Sequence, residues 1–198
     1  DNGGKAYFAT KDRPHGFFAP NLNPETGKRF RAGKGYLYEG GLKIPYLVRW
    51  SGKIKRGSVS DHLFYHPDVM PTLAELTNAE CPKTDGISFL PTLLSTGKQE
   101  NHSHMYWELG RQRALRKGDW KAYRDKKGNW ELYDLSTDIE EQMDLADKEG
   151  NILQDLIALA ESSHQPARLG KIINQALVDK DRREAPHERN LQFKKSKK

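Results

Sequence analysis

The chain has a single cysteine, Cys81, among its 198 residues. One cysteine excludes an internal disulfide, a CxxC redox pair and a zinc cage built from thiolates, and it leaves the redox compartment open. No apolar run approaches the roughly 20 residues that a membrane-spanning helix needs, and the N-terminus has no apolar signal region. With 35% hydrophobic residues, the chain is polar but can still form a core. We therefore expect a domain with one core and no membrane partner.

Both ends of the chain are unusual. It begins at Asp1 without an initiator methionine or a leader, which predicts a fragment of a longer protein. Residues 179–198 are basic and nearly devoid of apolar spacing, which favours a solvated tail over a docking arm. No recognised fold or aromatic stacking platform accompanies this charge, so we expect no nucleic-acid partner.

The first half of the chain reads as loops followed by a strand and a helix. Residues 1–45 lack any sustained periodicity and are rich in turn formers, which is typical of long functional loops. Tyr46–Trp50 has the composition of a short strand. Asp68 is placed to cap a helix whose apolar positions Val69, Leu73 and Leu76 predict a core-facing stripe.

The second half changes to a pattern of strands. Four short runs separated by turn formers predict an antiparallel meander, at 104–108, 112–116, 120–124 and 130–133. Asp138 has the spacing of a capping box with Glu141. A helix from Ile152 to Ser162 has one wide apolar face that is suited to cover the meander. The predicted fold class is α+β.

Several motifs occur in an order that carries a family resemblance. They are DNGG at 1–4, KGYLYEGGLKIP at 34–45, DVMPTL at 68–73, DGISFLPTLL at 85–94, YWE at 106–108, ALRKGDWK at 114–121 and ELYDL at 131–135. Together they closely resemble the C-terminal part of the type I sulfatases, over about residues 1–160. The resemblance implies an arylsulfatase-like sulfuric ester hydrolase, and the chain would be an α+β fragment of the α/β alkaline-phosphatase-like fold.

The resemblance also implies roles for three residues. Asp1 and Asn2 stand where sulfatases carry a pair of calcium ligands, and hard oxygen donors suit Ca²⁺. Lys34 matches the catalytic lysine that contacts the sulfate, where an ammonium can stabilise charge on the ester oxygens. Gly35, Gly40 and Gly41 allow close backbone approach or positive φ. We expect Glu39 to be structural, holding the loop by accepting backbone N–H groups or by pairing with a lysine.

Further residues are candidates for substrate binding, because the C-terminal subdomain of such enzymes borders the active-site cleft. His104 is a candidate pocket-facing residue, and Trp107 and Arg113 could line a sugar subsite, although packing is at least as good an explanation. His62 and His66 have helical i, i+4 spacing, but Pro67 argues against a helix running past them and so against a zinc site.

The departures from the family limit what this chain can do alone. Type I sulfatases use a formylglycine made from the Cys or Ser of a Cys/Ser-x-Pro/Ala-x-Arg motif, and no such motif occurs here. Cys81 is followed by Lys83 two places on and by Asp85 four places on, so it is not the nucleophile. Two calcium ligands also leave most of the six to eight coordination positions unfilled. We therefore expect an inactive fragment that requires the N-terminal half of the catalytic domain as its partner.

The predicted organisation has three parts: 1–100 from the catalytic domain, 101–165 as a small antiparallel-sheet subdomain with its helix, and 166–198 as the tail. The substrate would be a sulfated small molecule or glycan, and family resemblance predicts a periplasmic or secreted protein. Two alternatives stay open, a non-catalytic module that binds sulfated glycans and a phosphodiesterase or phosphonate hydrolase of the same superfamily.

Overall fold

The computed structural model describes residues 21–166; residues 1–20 and 167–198 lie outside the described part. The described chain belongs almost entirely to one compact unit that ends at Ser163. Among the described residues, no helix is both long enough and apolar enough to span a bilayer.

A four-stranded antiparallel sheet organises the second half of the chain. Its strands are β1 (Met105–Leu109), β2 (Gln112–Lys117), β3 (Trp120–Arg124) and β4 (Trp130–Asp134), in the order β1-β2-β3-β4. Two-residue connections join β1 to β2 and β2 to β3, which is the length that tight hairpins prefer. The meander predicted from the sequence is confirmed, with ends that move by at most one residue.

Side-chain alternation gives the sheet two buried faces. On one face, Leu115, Ala122 and Leu132 pack against the helix from Gly150 to Ser163. On the other face, Ala114, Tyr123, Tyr133 and Leu135 pack against Leu37 and Tyr38 from the loop segment. The sheet is therefore the middle layer between a helix and the KGYLYEGGLKIP segment. The predicted helix at 152–162 and its covering role are confirmed.

Short helices account for the rest of the regular structure in residues 21–166. In chain order they are α1 (Glu39–Leu42), α2 (Val69–Thr77), α3 (Leu90–Leu94) and α4 (Gly150–Ser163), with a 3-10 turn at His66–Asp68 directly before α2. Residues 21–38 are mostly loop, as expected, with one isolated antiparallel bridge between Leu22 and Arg29.

Two predictions in the first half of the chain are wrong. Tyr46–Trp50 forms no strand and pairs with no strand in the described chain, and Leu47 is 92% exposed. The helix after Asp68 is present, but its stripe is not core, because Leu73 is 54% exposed and Leu76 is also exposed. Both errors have one cause: an apolar pattern predicts that a surface will be covered, and no layer among residues 21–166 covers these two surfaces.

Two predicted caps are also wrong in detail. The Asp68 side chain makes no capping bond to α2; its Oδ2 accepts from the Tyr65 N–H at 2.9 Å, at the start of the 3-10 turn. Asp138 begins no helix, and instead its carboxylate accepts from the N–H groups of Gln142 and Met143 in a loop. Asp favours such local acceptor roles in turns as readily as at helix starts, so spacing alone does not distinguish them.

Candidate functional site

Lys34 lies in a tight turn of the KGYLYEGGLKIP segment, which packs on the face of the sheet opposite α4. The Tyr36 N–H donates to the Gly33 carbonyl at 3.1 Å, which closes a four-residue turn. Gly35 has φ of +95° at the third position, a conformation that residues with a side chain adopt rarely. The Lys34 side chain is exposed. The turn therefore holds Lys34 at the surface on a defined backbone.

The turn is anchored to the sheet by a buried amide. Gln112, at the start of β2, is 1% exposed, and its Nε2 donates to the Gly35 carbonyl at 3.1 Å. Its Oε1 accepts from the Tyr123 hydroxyl at 2.8 Å, which fixes the orientation of the amide. The Lys126 ammonium lies 5.0 Å from the centre of the Tyr36 ring. Both the β1–β2 and the β3–β4 hairpins thus meet the Lys34 turn.

Two glycines after the turn are required by close packing. A Cβ on Gly41 would lie 2.0 Å from the Tyr36 carbonyl oxygen, and one on Gly40 would lie 2.3 Å from the Arg31 carbonyl oxygen. Such contacts are far inside van der Waals distance, so no side chain fits at either position. Helix α1 is consequently packed directly on the backbone that forms the turn.

Glu39 belongs to a buried cluster of three charged side chains. The Lys121 Nζ lies 2.7 Å from Glu39 Oε1 and 2.8 Å from Glu141 Oε1. The Glu39 N–H also donates to Glu141 Oε2 at 2.6 Å. Glu39, Lys121 and Glu141 are 6%, 0% and 0% exposed. The structure confirms the structural role predicted for Glu39 and identifies its lysine partner.

The pKa values of the two carboxylates in this cluster are shifted in opposite directions. Burial works to raise the pKa of Glu39, but the adjacent Lys121 ammonium more than offsets it, so the pKa lies below its ordinary value. Burial raises the pKa of Glu141 above its ordinary value despite Lys121, and the nearby Glu39 carboxylate adds to the increase. One ammonium therefore does not fully compensate two buried carboxylates.

The predicted substrate-binding residues lie on different faces of the sheet. Arg113 Nη1 binds Glu161 of α4 at 2.8 Å, and His104 Nε2 lies 2.9 Å from the Ser163 hydroxyl, so both face the helix. Trp107 packs on the opposite face with the Leu37 and Tyr38 cluster. The structure therefore brings Trp107 to the layer that contains Lys34, whereas His104 and Arg113 lie together elsewhere. Their binding roles stay predictions.

A second buried polar centre surrounds Asp68. Its Oδ1 accepts from the Ile87 N–H and contacts His102 Nε2, each at 2.8 Å. Tyr65 stacks edge-on against both the His102 ring and the Trp107 ring. Asp68 thus ties the start of α2 to the segments before α3 and β1.

An exposed apolar face lies on the first half of the chain. We define it by Tyr46, Leu47, Val48, Trp50, Leu73 and Leu76, all of which are exposed. Most of these residues, together with Phe89, line a mainly apolar cavity of about 260 Å³. Exposed apolar patches are uncommon on protein surfaces, so this face needs an explanation.

The predicted calcium ligands Asp1 and Asn2 lie outside the described residues. Within residues 21–166, no group of three His, Cys, Asp or Glu side chains is arranged to hold a metal ion. The calcium prediction accordingly stays a prediction, which rests on the sulfatase resemblance and on the suitability of two oxygen donors for Ca²⁺.

Comparison with known proteins agrees with the architecture. Residues 31–163 match the family described as "N-sulphoglucosamine sulphohydrolase, C-terminal". An uncharacterized sulfatase of Schizosaccharomyces pombe is 35% identical over 64% of this chain and 26% of its own length. Arylsulfatase A of Bos taurus is 34% identical over 57% of this chain and 25% of its own length. The chain therefore spans about a quarter of these relatives.

Solved structures resemble the fold as well. One of them is described under metabolism of multiple glycosaminoglycans by Bacteroides thetaiotaomicron. It has a TM-score of 0.59 and 28% identity, and the match covers 67% of this chain and 31% of the solved chain. The structure of Ps i-CgsB with k-i-k-neocarrahexaose has a TM-score of 0.63 at 23% identity, covers 93% of this chain and 39% of that chain, and supports the fold alone.

These likenesses place the chain among proteins of the alkaline-phosphatase-like fold, of which the sheet, helix α4 and the packed loop segment form a part. Within that class, the chain belongs to the sulfatases and corresponds to their C-terminal region.

Reasoning from sequence missed the roles of Lys121 and Gln112 and the pairing of His102 with Asp68. A signal was available for Lys121, because it shares a strand face with Tyr123 at two-residue spacing, and a lysine there faces the core. Gln112 and His102 had no comparable signal, since their partners are 77 and 34 residues away in the chain.

Proposed function

We propose that this chain forms part of a sulfatase active site, in which Lys34 contacts the sulfate group of a sulfate ester. The observation that carries the proposal is the anchored turn: Gly35 gives the turn its shape, Gln112 binds the Gly35 carbonyl, and Lys34 is exposed. Preorganised cations stabilise charge that develops in a transition state more effectively than mobile ones. Lys34 would do so for the oxygens of the sulfate.

The substrate class follows from the relatives rather than from a pocket. One relative at 34% identity is named arylsulfatase A, and another at 29% identity is named N-acetylgalactosamine-6-O-sulfatase. We infer a sulfated carbohydrate or an aryl sulfate. Trp107 is our choice for a sugar contact, since it lies on the face of the sheet that packs against the Lys34 segment.

Asp1 and Asn2 would supply two oxygen ligands to a calcium ion, whose charge would stabilise sulfate oxygens when the ion is bound. Two ligands are too few for tight binding, so titration of the 198-residue chain with Ca²⁺ should show weak or no binding. The formylglycine nucleophile would come from the N-terminal half of the catalytic domain. The proposal includes a periplasmic or secreted location, which cell fractionation would test.

The role of Lys34 can be tested in a full-length sulfatase that carries this segment. Lys34→Met should lower kcat by about 10²–10³, the effect of removing one preorganised donor from a developing charge. Lys55→Met is the control, because Lys55 is also an exposed lysine but lies outside the Lys34 segment, and the substitution should change kcat little. Equal effects of the two substitutions would contradict the proposal.

The isolated chain provides a second test. Purified residues 1–198 should not hydrolyse a chromogenic aryl sulfate, and turnover that survives Lys34→Met would refute the division of the active site proposed above. If the chain instead retains heparin at physiological salt and Lys34→Ala leaves this retention unchanged, a non-catalytic glycan-binding module is the better description.

We also propose that the apolar face packs against the N-terminal half of the same catalytic domain. The face contains the apolar segment 46–50, which pairs with no strand in the described chain, and the chain spans about a quarter of its relatives. Leu47→Asp should be neutral in the 198-residue chain, where Leu47 is 92% exposed, but should lower the yield and melting temperature of the full-length protein. Leu109→Asp, at an exposed leucine of β1, should be tolerated in both. Tolerance of Leu47→Asp in both would contradict this packing.

A further inference from the structure

The buried cluster of Glu39, Lys121 and Glu141 joins three separate parts of the chain. Glu39 is the first residue of α1, Lys121 lies in β3, and Glu141 lies in the loop after β4. Charged side chains are almost never fully buried without a partner, and replacing such clusters with apolar residues often leaves stability unchanged or higher. A gain in stability therefore does not explain why these three charged side chains are buried together. A role in holding α1, β3 and the loop after β4 in one fixed arrangement does explain it.

Helix α1, which begins at Glu39, packs directly on the backbone of the Lys34 turn. Gly41 packs against the carbonyl oxygens of Tyr36 and Gly33, which are the two ends of the turn. The Gly40 N–H donates to the Arg31 carbonyl at 3.1 Å, immediately before the turn. With no side chain between these backbones, a shift of α1 displaces the turn as well.

The loop that contains Glu141 is held by the same region. Arg31 Nη1 donates to the Glu141 carbonyl at 2.9 Å, and the Arg31 guanidinium lies 4.3 Å from the centre of the Tyr38 ring. The Glu39 N–H accordingly meets a Glu141 carboxylate whose own backbone is fixed. Lys121 stands between the two carboxylates as the one member that comes from the sheet.

We propose that Lys121 is a positioning residue for Lys34: by binding Glu39 and Glu141 together, it fixes α1 against the sheet and thereby sets where the Lys34 ammonium stands. This inference rests on the proposed function only in that Lys34 is taken as the sulfate contact. Lys121 itself touches no substrate, because it is wholly buried.

The test uses the 198-residue chain and compares amide hydrogen exchange in residues 33–43 with that in α4. The test variant is the triple substitution Glu39→Gln, Lys121→Met and Glu141→Gln, which replaces all three charged side chains with uncharged ones. It leaves no uncompensated buried charge and is expected to fold. Amides of 33–43 should exchange at least about tenfold faster than in the wild type, while α4 keeps its protection. Glu39→Gln alone keeps an acceptor for Lys121 and should stay close to wild type. Lys117→Met, at an exposed lysine that ends β2, is the matched control.

A second readout follows the lysine itself. Inorganic sulfate is titrated while the NMR signals of Lys34 and the Gly35 amide are observed, and the triple variant should respond more weakly than the wild type and Glu39→Gln. Unchanged exchange in residues 33–43, or equal loosening of α4, would overturn the inference. If sulfate leaves Lys34 unaffected in the wild type, the proposed sulfate contact fails, whereas the exchange data still decide whether Lys121 positions the turn.

Discussion

Lys121→Met should be among the most destabilising single substitutions in this chain. It removes the ammonium that lies 2.7 and 2.8 Å from two buried carboxylates and leaves those carboxylates facing each other. Breaking a buried ion pair by removing one partner costs about 3–5 kcal/mol. For a unit of this size, each kcal/mol corresponds to about 2–4 °C, so the melting temperature should fall by roughly 6–20 °C.

The loss should depend on pH in a defined direction. In the wild type, the pKa of Glu39 is lowered by Lys121, so its contribution to stability is present above the unfolded pKa and is lost as the pH falls. In Lys121→Met, burial raises the pKa of both carboxylates, so the variant is least stable at neutral pH and recovers as the carboxylates are protonated. The difference in unfolding free energy should therefore narrow between pH 7 and about pH 4.

Chemical denaturation of both proteins across this pH range measures the difference directly. Lys117→Met is the control at an exposed position, and its effect should stay within about 0.5 kcal/mol at every pH. If Lys121→Met is no more destabilising than Lys117→Met, or if its deficit does not change with pH, the electrostatic account of the cluster is wrong.

Three further predictions concern other contacts. Gly41→Ala places a Cβ 2.0 Å from a backbone carbonyl and should destabilise by about 3 kcal/mol or more, whereas Gly150→Ala, with open space at the start of α4, should be neutral or stabilising in thermal melts. Asp68→Asn weakens acceptors for two N–H groups and His102, so denaturation should show a loss of about 1.5–3 kcal/mol, against almost none for the exposed Asp61→Asn. Arg113→Met removes a pair whose Glu161 partner is 55% exposed and should cost at most about 1 kcal/mol; a larger loss would mean that the pair is not screened by solvent.

The sheet and helix α4 could be predicted from sequence because their signals are local. Alternation over five residues and turn formers at short intervals are sufficient to define β1–β4, and a wide apolar face defines α4. Those elements pack on each other within the chain, so pattern and burial agree. Tyr46–Trp50 and α2 have equally clear patterns, but their apolar side chains remain exposed because no described layer covers them.

The candidate site, like the fold, has features that the sequence predicts and features that only the structure shows. The order of several short motifs along the chain, the Lys34 segment among them, was sufficient to relate the chain to sulfatases, since each motif is contiguous in sequence. Which side chains meet at the site was decided by strand parity: Trp107 points to the layer of Lys34, whereas Arg113, six residues later, points to α4. A one-residue difference in register reverses the face of a strand residue, and spacing along the chain does not reveal it.

By itself, the sequence determined the α+β class, the meander, the covering helix, the sulfatase family and the lysine turn that glycine shapes, because each depends on neighbouring residues. Only the tertiary structure decided that Lys121 joins Glu39 to Glu141, that Gln112 holds the Gly35 carbonyl, and that one apolar face stays exposed. These features depend on contacts between residues 20 to 102 positions apart, or on the lack of a covering layer among residues 21–166, and neither leaves a periodic trace in the chain.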